Sequence, residues 1–277
     1  MQKSMSEILL LKLKNTIHFL FLLCLVIGKT NSGNVKPQIV NGEDAHPGEF
    51  PWMVSFQRYN ERLDRYGPTC GGAIVDHRHI ITATHCYNPE AKYRVLVGAH
   101  NISKSDSDEP SRQCYEPCRF HIHPNWNKES LTNDILMVTL KHPIDFNDKV
   151  QPIRLAPSDS DPVGQTCVVS GWGWLGGTIE TSILQKCNLK VISLEECSPW
   201  GEGDPLTINE FSVCTLPEQT EKGTAAGDSG SPLICYDKEG PYATGVVSWG
   251  PEPPGTGDVY AGVKAHLDFI LCNKPQG

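Results

Sequence analysis

The sequence predicts an all-β protein, and three observations predict it. Short runs rich in β-branched and aromatic residues recur along the chain, each closed by a turn. Glycine (25 residues) and proline (21) are plentiful, which suits many strands joined by tight connections. Apolar residues recur at clear helical spacing only in the C-terminal tail. The length, 277 residues, fits one large β domain or two small ones and does not decide between them.

Residues 1–28 read as a secretory signal peptide. Lys3, Lys12 and Lys14 supply the basic end, Ile17 to Ile27 the apolar run, and Gly28 a small residue for cleavage. A bilayer-spanning helix needs about 20 apolar residues, so this run is too short for an anchor. A polar segment, 29–38, reads as a propeptide, and Ile39-Val40-Asn41-Gly42 opens the body, 39–277. A first set of strand-like runs follows: Trp52–Phe56, Gly72–Val75, His79–Thr82, Arg94–Val97 and Ile135–Leu140. The second set comprises Cys167–Ser170, Ile183–Val191, Pro232–Cys235, Thr244–Ser248 and Val259–Val263. In the tail, Val263, Leu267, Ile270 and Leu271 predict a helix.

Composition is ordinary for a globular protein, with 39% hydrophobic and 20% charged residues. The formal charge of the whole chain is −8, and the part from Ile39 carries −12. An acidic body argues against nucleic acid, heparin or anionic membranes as main partners. Removal of Cys24 with the signal leaves ten of the 11 cysteines. An even number in a secreted chain points to a disulfide framework. Zinc is the rival for Cys114 and Cys118, and the lack of a second close Cys or His pair opposes it.

The chemistry is carried by three motifs. Gly227-Asp228-Ser229-Gly230-Ser231-Pro232 puts a serine on a glycine-flanked turn. Thr82-Ala83-Thr84-His85-Cys86 and Asn133-Asp134-Ile135-Leu136 lie upstream. A serine hydroxyl needs a base within hydrogen-bond reach, and the base needs a third group to orient it. His85, Asp134 and Ser229 supply all three, in one of three unrelated chain orders known for that geometry. Alone, each has a mundane reading: a packed histidine, a cap, a turn.

With these motifs the chain resembles the trypsin/chymotrypsin-like serine proteases from Ile39 to its C-terminus. The resemblance implies two six-stranded antiparallel barrels joined near 155–165, with the active site between them. It implies a serine endopeptidase that works through an acyl-enzyme, with Ser229 as nucleophile, His85 as base and Asp134 as orienting carboxylate. Gly227 and Ser229 would supply the oxyanion-hole N–H groups. Disulfides Cys70–Cys86, Cys167–Cys235 and Cys197–Cys214 are implied as well. Cys114, Cys118, Cys187 and Cys272 remain, with three connectivities open; the family layout puts Cys272 near Cys118. The implied partners are protein or peptide substrates, protein protease inhibitors and an activating protease. Neither a metal nor an organic cofactor is implied.

Ile39 and Asp228 form a further implied pair. A cut before Ile39 would free an amine to neutralise a buried Asp228, making the uncut chain a zymogen. This chain departs from the family at that cut, where Pro37-Gln38 replaces the usual basic residue. A non-catalytic homologue acting as a binding protein is therefore the rival reading. The specificity-pocket disulfide is also absent, as in granzyme- and chymase-like members, with Ala225 at one of its places. By the family's spacing Gly223 is the pocket base, Ser248, Trp249 and Gly250 a wall and mouth, and Asp258 replaces a usual glycine. A carboxylate there favours Lys or Arg before the scissile bond, with broadened specificity. If Asp258 points away, or Lys222 neutralises it, chymotrypsin- or elastase-like cleavage follows.

Asn101-Ile102-Ser103 is an N-glycosylation sequon. Asp106, Asp108 and Glu109 resemble a calcium loop, but Ala99 replaces one ligand, so the loop reads as solvated. A histidine base predicts that kcat/KM falls on the acid side of neutrality. A profile that stays flat between about pH 5 and 8 would remove His85 from that role.

Overall fold

A computed structural model of the protein describes residues 42–173, 182–202, 205–218, 222–251 and 255–274. The signal and propeptide segments expected at the N-terminus lie outside these residues. The first set of strands comprises β1 (Glu43–Asp44), β2 (Met53–Asn60), β3 (Arg65–Ile74), β4 (His79–Thr82), β5 (Tyr93–Val97), β6 (Gln113–Tyr115), β7 (Pro117–Ile122), β8 (Leu136–Leu140) and β9 (Arg154–Leu155). Then come β10 (Thr166–Gly171), β11 (Gln185–Ile192), β12 (Ser212–Pro217), β13 (Pro232–Asp237), β14 (Gly240–Trp249) and β15 (Asp258–Gly262). Among the described residues, two short α-helices follow, α1 (Leu194–Cys197) and α2 (Leu267–Cys272). None is long and apolar enough to cross a membrane.

Two sheets form. The first runs β6-β5-β2-β3-β4-β8-β7. Its two ends are continuous in the chain through Glu116, so one bent strand pairs with β5 by its first half and β8 by its second. Counted that way, six strands wrap round on themselves. In the second, β11-β10-β13-β14-β15-β12 closes as a six-stranded barrel through an added β11–β12 pairing, with β1 added beside β11 and β9 beside β14. Closure removes the unpaired edges that invite aggregation. Residues 156–165 connect β9 to β10.

Burial explains which strands the sequence declares. β4, β8 and β15 are buried or nearly so along their length, and their apolar runs are plain in the sequence. β3 is exposed or half-buried over Arg65–Thr69 and buried from Cys70 to Ile74. Only that second half was predicted as a strand, because its polar first half has no solvent-to-core alternation to read. Inside the first sheet Phe56 stacks on Tyr93 with ring centroids 4.6 Å apart. Inside the second, Tyr242, Tyr260 and Ile234 are almost wholly buried.

Disulfides Cys70–Cys86, Cys167–Cys235 and Cys197–Cys214 are formed. Cys114, Cys118 and Cys272 are exposed thiols, and Cys187 is a buried one. Cys167–Cys235 bridges β10 and β13 across a sequence separation of 68. Its double replacement by alanine is expected to cost about 2–5 kcal/mol of unfolding free energy, measured by denaturant titration.

Candidate active site

His85 is delivered by a single 3-10 turn, Thr84–Cys86, immediately after β4. The turn is fixed from two sides. Cys86 is bridged to Cys70 of β3, and Thr84 Oγ1 donates to the Ile135 carbonyl at 2.8 Å. Asp134 arrives from a tight turn before β8, where Asn133 adopts a positive φ of 55°. Asparagine tolerates that left-handed conformation better than most residues. The turn buries Asp134 completely.

The buried carboxylate is met by three donors. The His85 backbone N–H reaches Oδ1 at 2.9 Å, and ring Nδ1–H reaches Oδ2 at 2.6 Å. Ser248 Oγ–H donates to Oδ2 at 2.6 Å. Ser248 can do so because the β14–β15 register shifts between Val247 and Trp249, leaving Ser248 outside the ladder. Such bulges re-aim side chains. With Nδ1 taken, Nε2 is the nitrogen left to face a hydroxyl. The sequence placed Ser248 only in the pocket wall; its bond to Asp134 depends on the bulge, which no residue type announces.

Ser229 sits on a turn of glycines in positive φ, 96° at Gly227 and 82° at Gly230. A Cβ on Gly230 would lie 2.2 Å from Thr82 Oγ1, so a side chain there cannot be accommodated without displacement. The N–H groups of Asp228, Gly230 and Ser231 each donate to a backbone carbonyl. Those of Gly227 and Ser229 donate to none among the described residues. Two unspent N–H groups thus flank the hydroxyl, the pattern an oxyanion hole requires. Ser229 is tied to the first sheet by its carbonyl, which accepts from Gly71 N–H at 2.8 Å.

Two further carboxylates are buried nearby. Asp228 accepts from Gly173 N–H at 2.8 Å and Ala225 N–H at 3.0 Å. Burial outweighs those bonds and pushes its carboxyl up to about 7. Ile39, its implied partner, lies outside the described residues. Asp258 accepts from Thr224 Oγ1 at 2.5 Å and Thr224 N–H at 3.2 Å, and Tyr260 OH lies 3.5 Å away. Burial again dominates and pushes Asp258 up to about 6. It forms no ion pair among the described residues, so Lys222 does not neutralise it by contact.

Asp258 lines a cavity of about 150 Å³ together with Ser229, Ser248, Trp249 and Gly250. Asp258 and Ser229 therefore share the lining of one cavity. Gly223 is not in the lining; a Cβ there would lie 3.2 Å from Asp258 Oδ2, so the glycine backs the carboxylate. Thr224 and Tyr260 were not singled out from the sequence. Tyr260 had a readable signal, since residues two apart on a strand share a face.

The remaining predicted features are placed as follows. Asn101 is half-buried, and its Oδ1 accepts from Ser103 N–H and Oγ–H at 3.0 and 2.7 Å. Glu109 accepts from His100 and Asn101 N–H, Asp108 from Ser105, and Asp106 pairs with Arg112. The acids of that loop therefore serve its own turns. Cys70, His85 and Cys86 are close enough together for a metal, but both sulfurs belong to a disulfide and offer no thiolate.

Comparison with known proteins agrees with this geometry. The profile of the family described as Trypsin matches residues 39–270. Mouse chymotrypsin-C is 32% identical over 248 residues, covering 86% of this chain and 89% of its own length. Human kallikrein-4 is 32% identical over 235 residues, 85% of each chain. Mouse kallikrein-1 is 32% identical over 238 residues, 81% of this chain and 84% of its own.

Replacing Ser248 with alanine removes one of three donors from a carboxylate with no access to water. A loss of about 1–3 kcal/mol in unfolding free energy is expected, read by chemical denaturation. An unchanged midpoint and slope would show that the Ser248 bond contributes nothing.

Proposed function

The chain belongs to the trypsin family of serine proteases, and on that premise we propose that it is a secreted endopeptidase cutting after lysine or arginine. One observation carries the reading: His85 is hydrogen-bonded to a wholly buried Asp134, and two unspent N–H groups at Ser229 and a cavity lined by Ser229 and Asp258 support it. Ser229 Oγ attacks the scissile carbonyl while His85 Nε2 takes the hydroxyl proton. Asp134 holds the ring in the tautomer that frees Nε2 and stabilises the imidazolium that forms. The Gly227 and Ser229 N–H groups receive the developing oxyanion. His85 then gives its proton to the leaving amine, and water repeats the sequence to release the acid and restore Ser229.

Asp258 supplies the preference. A Lys or Arg side chain entering the cavity would meet a carboxylate that burial leaves without a cation in reach among the described residues. The usual specificity position is Gly223, so the carboxylate is offset and the cavity keeps room for other residues. Chymotrypsin- or elastase-like cleavage is the competing reading, favoured by the Thr224 donors that already satisfy Asp258.

Asp228 supports synthesis as a precursor. A carboxylate raised to about 7 by burial is stabilised as an anion by a cation placed against it. The amine freed by a cut before Ile39 would be that cation and would hold the Gly227–Ser229 turn. Pro37-Gln38 before the cut calls for an activator that does not require a basic residue. A signal peptide at 1–28, a propeptide at 29–38 and a glycan on Asn101 complete the reading, with protein inhibitors as further partners. The non-catalytic alternative rests on that same junction.

The decisive test is kcat/KM for the chain beginning at Ile39 on peptides ending in Arg, Lys, Phe, Leu or Ala before a reporter group. Cleavage mainly after Arg and Lys is expected. Cleavage mainly after Phe or Leu removes the role given to Asp258, and no turnover by folded protein favours the silent homologue. Asp258→Gly should lower Arg and Lys cleavage selectively.

The pH dependence has a defined sign. Asp258 is protonated below about 6 and then attracts no cation, so benzamidine binding should weaken as pH falls through that value. The limiting slope is about tenfold per pH unit, and Asp258→Asn should flatten it. Titration of the inhibition constant reads both.

A further inference from the structure

Beside the site lies a second and larger concavity, about 1000 Å³, which the peptidase reading does not use. Its wall is the hairpin made by the outer halves of β2 and β3. Four cations line it, Arg58, Arg62, Arg65 and Lys92, against two anions, Glu61 and Glu90. All four cations are exposed. None of them forms an ion pair among the described residues. In a chain of net charge −8 such a local excess of positive charge is set against the overall sign.

The hairpin is built to hold these cations outward. Asp64, at its turn, has a positive φ of 50° and accepts a hydrogen bond from Tyr59 OH. Tyr59 packs edge-on against Tyr66, ring centroids 5.2 Å apart, with Lys92 over one ring and Arg94 over the other. Of the two acids in the turn, Asp64 is occupied by a tyrosine and Glu61 forms no ion pair among the described residues. Leu63 at the tip is 58% exposed, which adds an apolar contact to the charged rim.

The groove leads to the chemistry. Its floor includes Pro68 and Thr69, and the next residues of β3 are Cys70, bridged beside His85, and Gly71, bonded to Ser229. The Asp258 cavity shares no lining residue with the groove and contains Ser229 itself. On the peptidase reading, a polypeptide whose residue before the scissile bond fills that cavity continues past Ser229 outside it, and the groove, whose lining along β3 ends one residue before Cys70, is placed to receive that continuation.

We propose that this groove receives acidic residues of a polypeptide substrate on the leaving-group side of the scissile bond, through Arg58, Arg62, Arg65 and Lys92. The direction of the polypeptide rests on the peptidase reading; the groove's charge does not. A folded or extended peptide suits the site better than a long polyanion, which the acidic remainder of the surface repels.

The test separates the two readings. The full chain carrying Ser229→Ala is titrated by fluorescence anisotropy with labelled peptides. Each has Arg at the cleavage position, followed by glutamates, serines or lysines. The glutamate peptide should bind about tenfold tighter than the lysine peptide at low ionic strength, a gap expected from a few exposed ion pairs. The gap should shrink as salt is added. The triple variant Arg58→Ser, Arg62→Ser, Arg65→Ser should abolish it while keeping the melting temperature, since these side chains are exposed.

Equal affinities, or a gap that survives in the triple variant, overturn the assignment. So does heparin, added as a competitor, if it binds more tightly than every peptide and loses that binding in the triple variant. Separately, the wild-type chain beginning at Ile39 is assayed on a single-residue arginine ester, which extends nowhere beyond the scissile bond. Failure there with the peptide gap intact sinks the peptidase reading and leaves the groove. Ester turnover without the gap does the reverse.

Discussion

The site depends on a carboxylate with no solvent. Asp134 is wholly buried, and a buried charge without partners costs far more than the few kcal/mol by which a domain is stable. Its three donors come from both sheets: two from the turn after β4, one from the bulge in β14. Satisfying that one anion therefore sets His85 in its tautomer and docks the second sheet against the first. The Gly71–Ser229 bond repeats the arrangement from the other side, tying the Ser229 turn to β3. The geometry of the candidate site and the packing of the two halves are one constraint.

Close approach of backbones is the second requirement, and glycine meets it at particular places. Gly230 admits Thr82 and the Gly71 carbonyl. A Cβ on Gly171 would lie 2.1 Å from Asp228 Oδ1, and one on Gly173 2.4 Å from its Oδ2. Those two glycines let the strand end of β10 close over Asp228 and, at Gly173, donate to it. The same closeness removes water from Asp228, which is why its proton is held so tightly. Burial here stores a demand for a cation at the base of the Ser229 turn.

Much of this was legible in the sequence, and the limits follow physical lines. The buried strands announce themselves because burial on both faces demands unbroken apolar runs. The motifs around Ser229, His85 and Asp134 are legible because each sets a tight local backbone, a glycine turn, a 3-10 turn and a turn in positive φ. The outer half of β3 was silent, since a strand solvated on both faces has no pattern to keep. The Ser248 donor was silent because a register shift, not a residue type, aims it. Thr224 reaches Asp258 only through the path of a loop, which sequence spacing does not fix. The free state of Cys114, Cys118, Cys187 and Cys272 likewise turns on three-dimensional placement.

Charge is distributed with the same economy. The acidic body sets the long-range field, which draws cationic segments and repels anionic ones. Within that field Asp258 sits buried in a small cavity, where a single cation gains most from a low local dielectric. The hairpin arginines sit in solvent around a broad groove, where each contact is weak and several must act together. A buried acid can therefore dominate the choice of one residue, while exposed bases can only bias a stretch. Under the proposed function and the proposed groove, the two devices act on either side of Ser229 with opposite signs, and a substrate basic on one side of the scissile bond and acidic on the other is matched along its length. A substrate of uniform charge satisfies one device and is opposed by the other.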